Sequence, residues 1–341
     1  MMNLGELPGP AIGPLGDGAL GAIGNTPLVR LRNYFRHARA SVHAKLELFN
    51  ATGGSKSRAA ASMLQAAIQE GDVTPGETTI IESTSGNTGV ALASVCKYYQ
   101  LPLVCVVDAH TTIQHRKLIK AFGGRVEVIS TPDPATGELL PARLRRVQEL
   151  LAVTRPSFCP DQYSNVHNAR AHHATCREIF EQLGRPPDYI FCATSTCGTI
   201  RGCGDYVREL NAPTSMIAVD AVGSRIFGQR PQRRRIPGLG SAIRPPLVDG
   251  ASVARVVHVG EPQAIRGSRR LLESEAILAG GSSGAVMAAL ASCHDILRSQ
   301  ASVVVVLADS GERYLDTIFN DTWVDEHIEV EELAAPHIAR A

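Results

Sequence analysis

The chain has 341 residues, 44% hydrophobic and 20% charged, enough for about two globular domains with buried cores. Its 34 basic and 33 acidic side chains leave a net charge of +1, which argues against a nucleic-acid or membrane-surface protein. Only five basic residues are lysines (Lys45, Lys56, Lys97, Lys117 and Lys120), so chemistry needing a primary amine has few candidates.

Taken in chain order, residues 1–18 are rich in Gly and Pro and read as a loose arm. Apolar runs then predict strands at 42–48, 78–82, 102–107, 125–129, 188–193, 215–220, 254–259 and 302–308. Helical stretches alternate with them at 57–70, 87–100, 112–122, 139–153, 166–183, 199–210, 262–275, 284–298 and 311–320. Val- and Ile-rich strands alternating with helices of ten or more residues predict an α/β fold with mostly parallel sheets. Residues 229–246 form the longest non-periodic stretch, and 326–341 read as a tail. No apolar run is long enough for a membrane span, and the N-terminus shows no secretory pattern. The eight cysteines lack a C-x-x-C pair and read as small hydrophobes of a reduced, cytoplasmic protein, with no metal site expected.

Four strand-to-helix turns carry the chemistry. NATGGSKSR (50–58) places Lys56 at a helix start, where the helix dipole favours a neutral amine able to form a Schiff base. It is not a phosphate-binding P-loop, because the order is G-S-K-S. ESTSGNTG (82–89) offers hydroxyls and backbone N–H groups for a carboxylate, although such residues also serve as helix caps. STCGTIRG (195–202) is a small-residue turn at a helix N-terminus, suited to phosphate, and GGSSGA (280–285) admits a flat ring. Together these predict a flat, phosphorylated aldehyde cofactor, pyridoxal 5'-phosphate, held by Lys56.

GNTPLVRL (24–31), the S-K-x-R lysine and T-S-G-N-T-G (84–89), in this order, make the chain resemble fold-type II pyridoxal-phosphate enzymes. The group is that of cysteine synthase and cystathionine β-synthase, and the resemblance extends to DSGERYL (309–315). It implies that Lys56 is the Schiff-base lysine and that Asn87 bonds the cofactor's ring hydroxyl. It also implies that Ser195, Thr196, Cys197, Gly198 and Thr199 hold the phosphate and that Ser282 meets the ring nitrogen. Thr84, Ser85, Gly86 and Thr88 would close on the substrate carboxylate. A serine at the ring nitrogen weakens the electron sink, which suits β-elimination better than transamination. The implied architecture is two domains: a large one from 19–49 and 156–325, and a small mobile one from 50–155. A homodimer is implied as well.

Some positions depart from the commonest pattern. Ser195 and Cys197 stand where glycines are usual, and Ser57 where Asp or Asn is common. Segments including LVCVVDAH (103–110), DQYSN (161–165), AVDAVGSRIFG (218–228) and DSGERYLDTIFNDTW (309–323) resemble a particular branch. That branch joins O-phospho-L-serine to L-glutamate, giving N-(2-amino-2-carboxyethyl)-L-glutamate for 2,3-diaminopropionate and siderophore biosynthesis. The amino-acid substrates would then engage Arg143 and Tyr163, whereas Arg233, Arg234 and Arg235 read as a solvated charge cluster. Cysteine synthase activity and a non-catalytic regulatory protein are the competing expectations.

Overall fold

The computed structural model describes residues 18–35, 40–84, 86–293, 297 and 300–328. The first half runs β1 (Leu28–Arg30), β2 (Ser41–Leu46), α1 (Lys56–Gln69), β3 (Thr79–Ser83), α2 (Asn87–Tyr98) and β4 (Leu103–Asp108). It continues through α3 (Ile113–Ala121), β5 (Arg125–Ile129), α4 (Leu139–Val153), β6 (Ser157–Phe158) and α5 (Val166–Leu183). The second half runs β7 (Tyr189–Ala193), α6 (Gly198–Glu209), β8 (Ser215–Ala221), β9 (Arg255–Val259) and α7 (Glu261–Glu275). It ends with α8 (Gly281–Ser292), β10 (Ser302–Leu307) and α9 (Asp321–His327).

The strands form two sheets. The larger has the order β1-β2-β10-β7-β8-β9 and is parallel except for β1 against β2. The smaller, β5-β4-β3-β6, is parallel throughout. The expected α/β class is therefore found. The smaller sheet extends to Phe158, three residues past the boundary expected at 155.

Why the strand runs are continuously apolar is clearest in β10. Val303 and Val305 pack into one core with α8, while Val304 and Val306 face a second core lined by α5 and α6. Both faces are buried, so period-2 alternation disappears. The smaller sheet is likewise covered by α1 and α2 on one face and α4 on the other.

One expected helix is displaced. Residues 311–320 hold only a 3-10 turn, Gly311–Tyr314, and the helix starts later, at Asp321. Asn320 caps that helix by accepting from the Trp323 N–H, and the Tyr314 hydroxyl is pulled inward onto Asp309 at 2.5 Å. Residues 1–17 of the expected arm and 329–341 of the expected tail lie outside the described residues. The loops after β2, β3, β7 and β10 meet at one cleft, lined by residues that follow strands of both sheets.

Candidate active site

The lysine loop is stitched to the end of β10. The Ser55 N–H donates to Ala308 O at 2.8 Å and the Ser310 N–H to Gly53 O at 3.0 Å. Lys56 then opens α1 and lines two small cavities, of about 50 and 20 Å³. Burial drives its amine below the usual lysine range, and the Asp309 carboxylate opposes that shift. A lowered pKa favours the neutral amine that attacks an aldehyde.

The turn after β7 meets Lys56 from the opposite wall. Ser195, Thr196, Cys197, Gly198 and Thr199 line the smaller cavity with it. Helix α6 has no side-chain cap, so the N–H groups of its first turn lack intrahelical acceptors and suit an anion. A Cβ at position 198 would collide with the Asn168 carboxamide, which itself donates to Thr196 Oγ1 at 3.1 Å. Cys197 is buried with its thiol pushed up to about 12 by desolvation, so it is no nucleophile.

The turn after β3 differs from expectation in its hydroxyls. Thr84 Oγ1 accepts from the Gly86 N–H at 3.2 Å and the Gly89 N–H at 3.0 Å, so it acts as a cap. Thr88 Oγ1 donates to Gln162 Oε1 at 2.6 Å, leaving backbone N–H groups as the freer donors of this turn. Ser85 lies outside the described residues. Gly86, Asn87 and Ser282 line the same cavity as Lys56, with Ser282 in the first turn of α8.

Asn87 is held more firmly than its position in a turn suggests. Its Nδ2 donates to Asp309 Oδ2 at 2.7 Å and to the Tyr314 hydroxyl at 3.2 Å. Its Oδ1 meets His115 Nε2 at 3.1 Å and accepts from Arg313 Nη1. The network thus joins both sheets across the cleft. Asp309 is 3% exposed, and its Oδ1 has no partner.

A cavity of about 490 Å³ adjoins the lysine cleft, sharing Tyr163, Ser195, Pro237 and Gly238 with it. Its walls carry Arg143, Arg233, Arg234 and Arg235. Arg143 is 5% exposed; its Nε lies 3.3 Å from Asp108 Oδ2, yet Nε and Nη1 make no hydrogen bond. Arg234 is half-buried with an unbonded Nε, and desolvation lowers its pKa. The reading of 233–235 as solvated therefore fails at Arg234, because the 229–246 segment folds back over the cavity. Arg235 is occupied by Glu261, and Arg233 is exposed at the rim.

Asp108, Gln162 and Asp309 belong to these walls, and His115 stands behind Asn87; none of the four was anticipated. DSGERYL was visible as a motif, but His115 sits in an ordinary helical stretch with no local signal. A buried amine, an uncapped helix N-terminus and an orphaned carboxylate oxygen in one cleft suit a phosphorylated aldehyde that carries further hydrogen-bonding groups.

Comparison with known proteins agrees. The chain is similar to a hydrogen sulfide-producing enzyme from Fusobacterium nucleatum, with 31% identity and TM-score 0.81 over 88% of this chain and 100% of that one. An O-ureido-L-serine synthase gives 30% identity and TM-score 0.80 over 93% and 97%. An O-acetylserine dependent cystathionine β-synthase from Helicobacter pylori gives 28% and 0.81 over 88% and 97%. The profile of the pyridoxal-phosphate dependent enzymes matches residues 19–309, and the chain belongs to that family, whose members bind pyridoxal 5'-phosphate.

Proposed function

We propose that the protein catalyses β-replacement, joining O-phospho-L-serine and L-glutamate into N-(2-amino-2-carboxyethyl)-L-glutamate with release of phosphate. This would feed 2,3-diaminopropionate and siderophore biosynthesis, with the protein acting as a cytoplasmic homodimer. The observation that carries the reading is the arginine-walled cavity beside the lysine cleft. Guanidinium N–H groups shielded from water and left without an acceptor are costly unless an anion completes them. The buried Arg143, despite Asp108 nearby, and the half-buried Arg234 both have such groups. An amino acid with two carboxylates supplies two such anions, whereas sulfide needs no chamber of this size.

Pyridoxal phosphate, when bound, supplies the electron sink for charge developing at the substrate α-carbon. This chain's own residues supply the rest. Lys56 holds the cofactor and, once released, moves the proton at the α-carbon. The N–H groups at 197–199 would hold the phosphate, and Ser282 would hold the ring nitrogen. The turn at 84–88 binds the α-carboxylate of the first substrate. Arg143 and Arg234 orient the second, and Tyr163 stands where the two chambers meet.

A sulfur nucleophile is the second reading, favoured by the likeness to a hydrogen sulfide-producing enzyme. Incubation with O-phosphoserine plus either glutamate or sulfide, with product mass measured, separates them. The glutamate adduct is expected. Formation of cysteine without any incorporation of glutamate overturns the assignment, and a requirement for O-acetylserine removes phosphate as leaving group.

A further inference from the structure

His115 lies on α3, is completely buried, and belongs to none of the turns that carry the proposed chemistry. Its Nδ1 is 2.6 Å from Thr112 Oγ1 and its Nε2 is 3.1 Å from Asn87 Oδ1. An amide oxygen only accepts, so Nε2 carries the hydrogen and Nδ1 accepts from the Thr112 hydroxyl. Burial and the nearby Arg313 hold the imidazole pKa down to about 3, so the ring stays neutral and keeps this tautomer. Arg313, a donor only, points at the same Asn87 oxygen.

Two donors on one face of Asn87 leave its carboxamide a single orientation. Oδ1 faces His115 and Arg313, which do not line the lysine cleft. Nδ2 faces Asp309, which does. Asn87 therefore turns its Nδ2 side, whose N–H groups are engaged by Asp309 and Tyr314, and not its carbonyl, toward the cleft beside Lys56. That polarity favours an anionic oxygen and repels it if the amide is turned over.

We infer that His115 is a positioning residue for the cofactor. By donating from Nε2 to Asn87 Oδ1, it fixes the Asn87 amide with Nδ2 on the cleft side, where an N–H now shared with Tyr314 or Asp309 would reach the ring oxygen of pyridoxal phosphate. The inference rests on Lys56 holding the cofactor but is independent of which nucleophile the enzyme uses. Because α3 flanks the smaller sheet while Arg313 and Asp309 follow β10 of the larger, the lock is also set from both sides of the cleft.

The test uses the full chain reconstituted with pyridoxal phosphate, reading cofactor dissociation constant and the absorption spectrum of the bound cofactor. His115→Phe is expected to weaken cofactor binding about tenfold and to change the balance of absorption bands. His115→Gln, which keeps an N–H donor, is expected to recover most of both. In an Asn87→Ala background, His115→Phe is expected to have no further effect. An equal effect with and without Asn87 overturns the inference, as does an unchanged spectrum and affinity. A merely structural role would lower the melting temperature equally in both backgrounds and would leave the band balance alone. Failure of the wild type to bind the cofactor through Lys56 would instead refute the reading on which the inference rests.

Discussion

Two buried clusters of charge flank Lys56, and they are built in opposite ways. Behind it, Lys45, Glu47, Arg58 and Glu178 form a closed quartet. Arg58 makes two hydrogen bonds to Glu47, both at 2.8 Å, and two to Glu178, both at 2.7 Å. Lys45 Nζ reaches Glu178 at 2.7 Å, Thr26 O at 2.7 Å and Gln182 Oε1 at 2.9 Å. In front of it, Arg143 and Arg234 keep unbonded N–H groups in a cavity. A satisfied buried charge is structure, and an unsatisfied one awaits a ligand. Lys45 is buried more deeply than Lys56, and desolvation also lowers its pKa, but its three donors are already occupied. Burial alone does not mark the reactive amine.

The largest expected effect comes from opening the quartet. Glu178→Gln removes the carboxylate that partners both Arg58 and Lys45, and is expected to cost about 3–5 kcal/mol in denaturant unfolding. The pH dependence carries the same signature. Burial pushes Glu178 up, but Arg58 and Lys45 outweigh this and hold it down to about 2, below the ordinary glutamate value of 4.5. The depressed folded pKa gives stability that is present above about pH 4.5 and lost as pH falls toward 2. In the variant that acid-side loss is expected to shrink. Equal stability of wild type and variant at pH 7 would refute the closed-quartet account.

Glu82 is the carboxylate contrast. It is 1% exposed with no cation in its ion-pair range among the described residues, and its oxygens accept from the backbone N–H groups of Ser83, Asp161 and Gln162. Desolvation, with Asp161 adding to it, raises its pKa to about 8. A raised acid pKa reverses the sign: the contribution is intact below about pH 4.5 and falls as pH climbs through 8. Glu82→Gln is therefore expected to be more stable than wild type at pH 9, by a few kcal/mol, and close to it at pH 5. Denaturation at the two pH values checks this, and an equal difference at both removes the buried-acid explanation.

Arg143→Met tests the open cluster. Because Asp108 stands 3.3 Å from the Arg143 Nε, replacing this guanidinium with an apolar chain strips a buried carboxylate of its cation. The expected cost is about 1–3 kcal/mol of unfolding free energy, less than in the quartet because the pair is longer and not hydrogen-bonded. The KM for the dicarboxylate nucleophile should rise by roughly 2–3 kcal/mol equivalent, with KM for the phosphoserine donor little changed. A loss of stability without a change in nucleophile KM would move Arg143 into the same class as Arg58.

What was legible in the sequence follows the range of the interactions. The bounds of α4, α5 and β5 match the expectation residue for residue, because each is set by local periodicity and capping, such as Asn165 accepting from the His167 N–H. The four turns were legible because small polar residues at strand ends have few other uses. His115 and Asp309 were not, since their shared partner Asn87 is brought to them only by the folded chain, and the shielding of Arg234 depends on cavity walls such as Arg143 that lie far from it in sequence. GNTPLVRL and S-K-x-R carry the family resemblance, with a chemical role expected only of Lys56. Arg58 belongs to the quartet, and Thr26 buttresses it, its Oγ1 donating to Glu47 Oε1 at 2.8 Å.

The smallest expected effect concerns Cys197, where sequence and geometry disagree most locally. It caps α6 with φ 67, the left-handed region that penalises any residue with a Cβ. A glycine there is usual in the resembling enzymes, and Cys197→Gly should relieve roughly 1 kcal/mol of strain. Part of that gain is offset by the larger backbone entropy of the unfolded glycine chain and by the loss of a buried side chain. The net change in unfolding free energy is therefore expected to lie within about 1 kcal/mol of zero. Phosphate-turn geometry depends on backbone N–H groups and not on the thiol, so cofactor affinity should be preserved in the same variant. A large loss of affinity would show that the Cys197 side chain, rather than the turn it closes, takes part in holding the cofactor. The contrast between satisfied and waiting groups would then have to be redrawn at the phosphate end of the cleft.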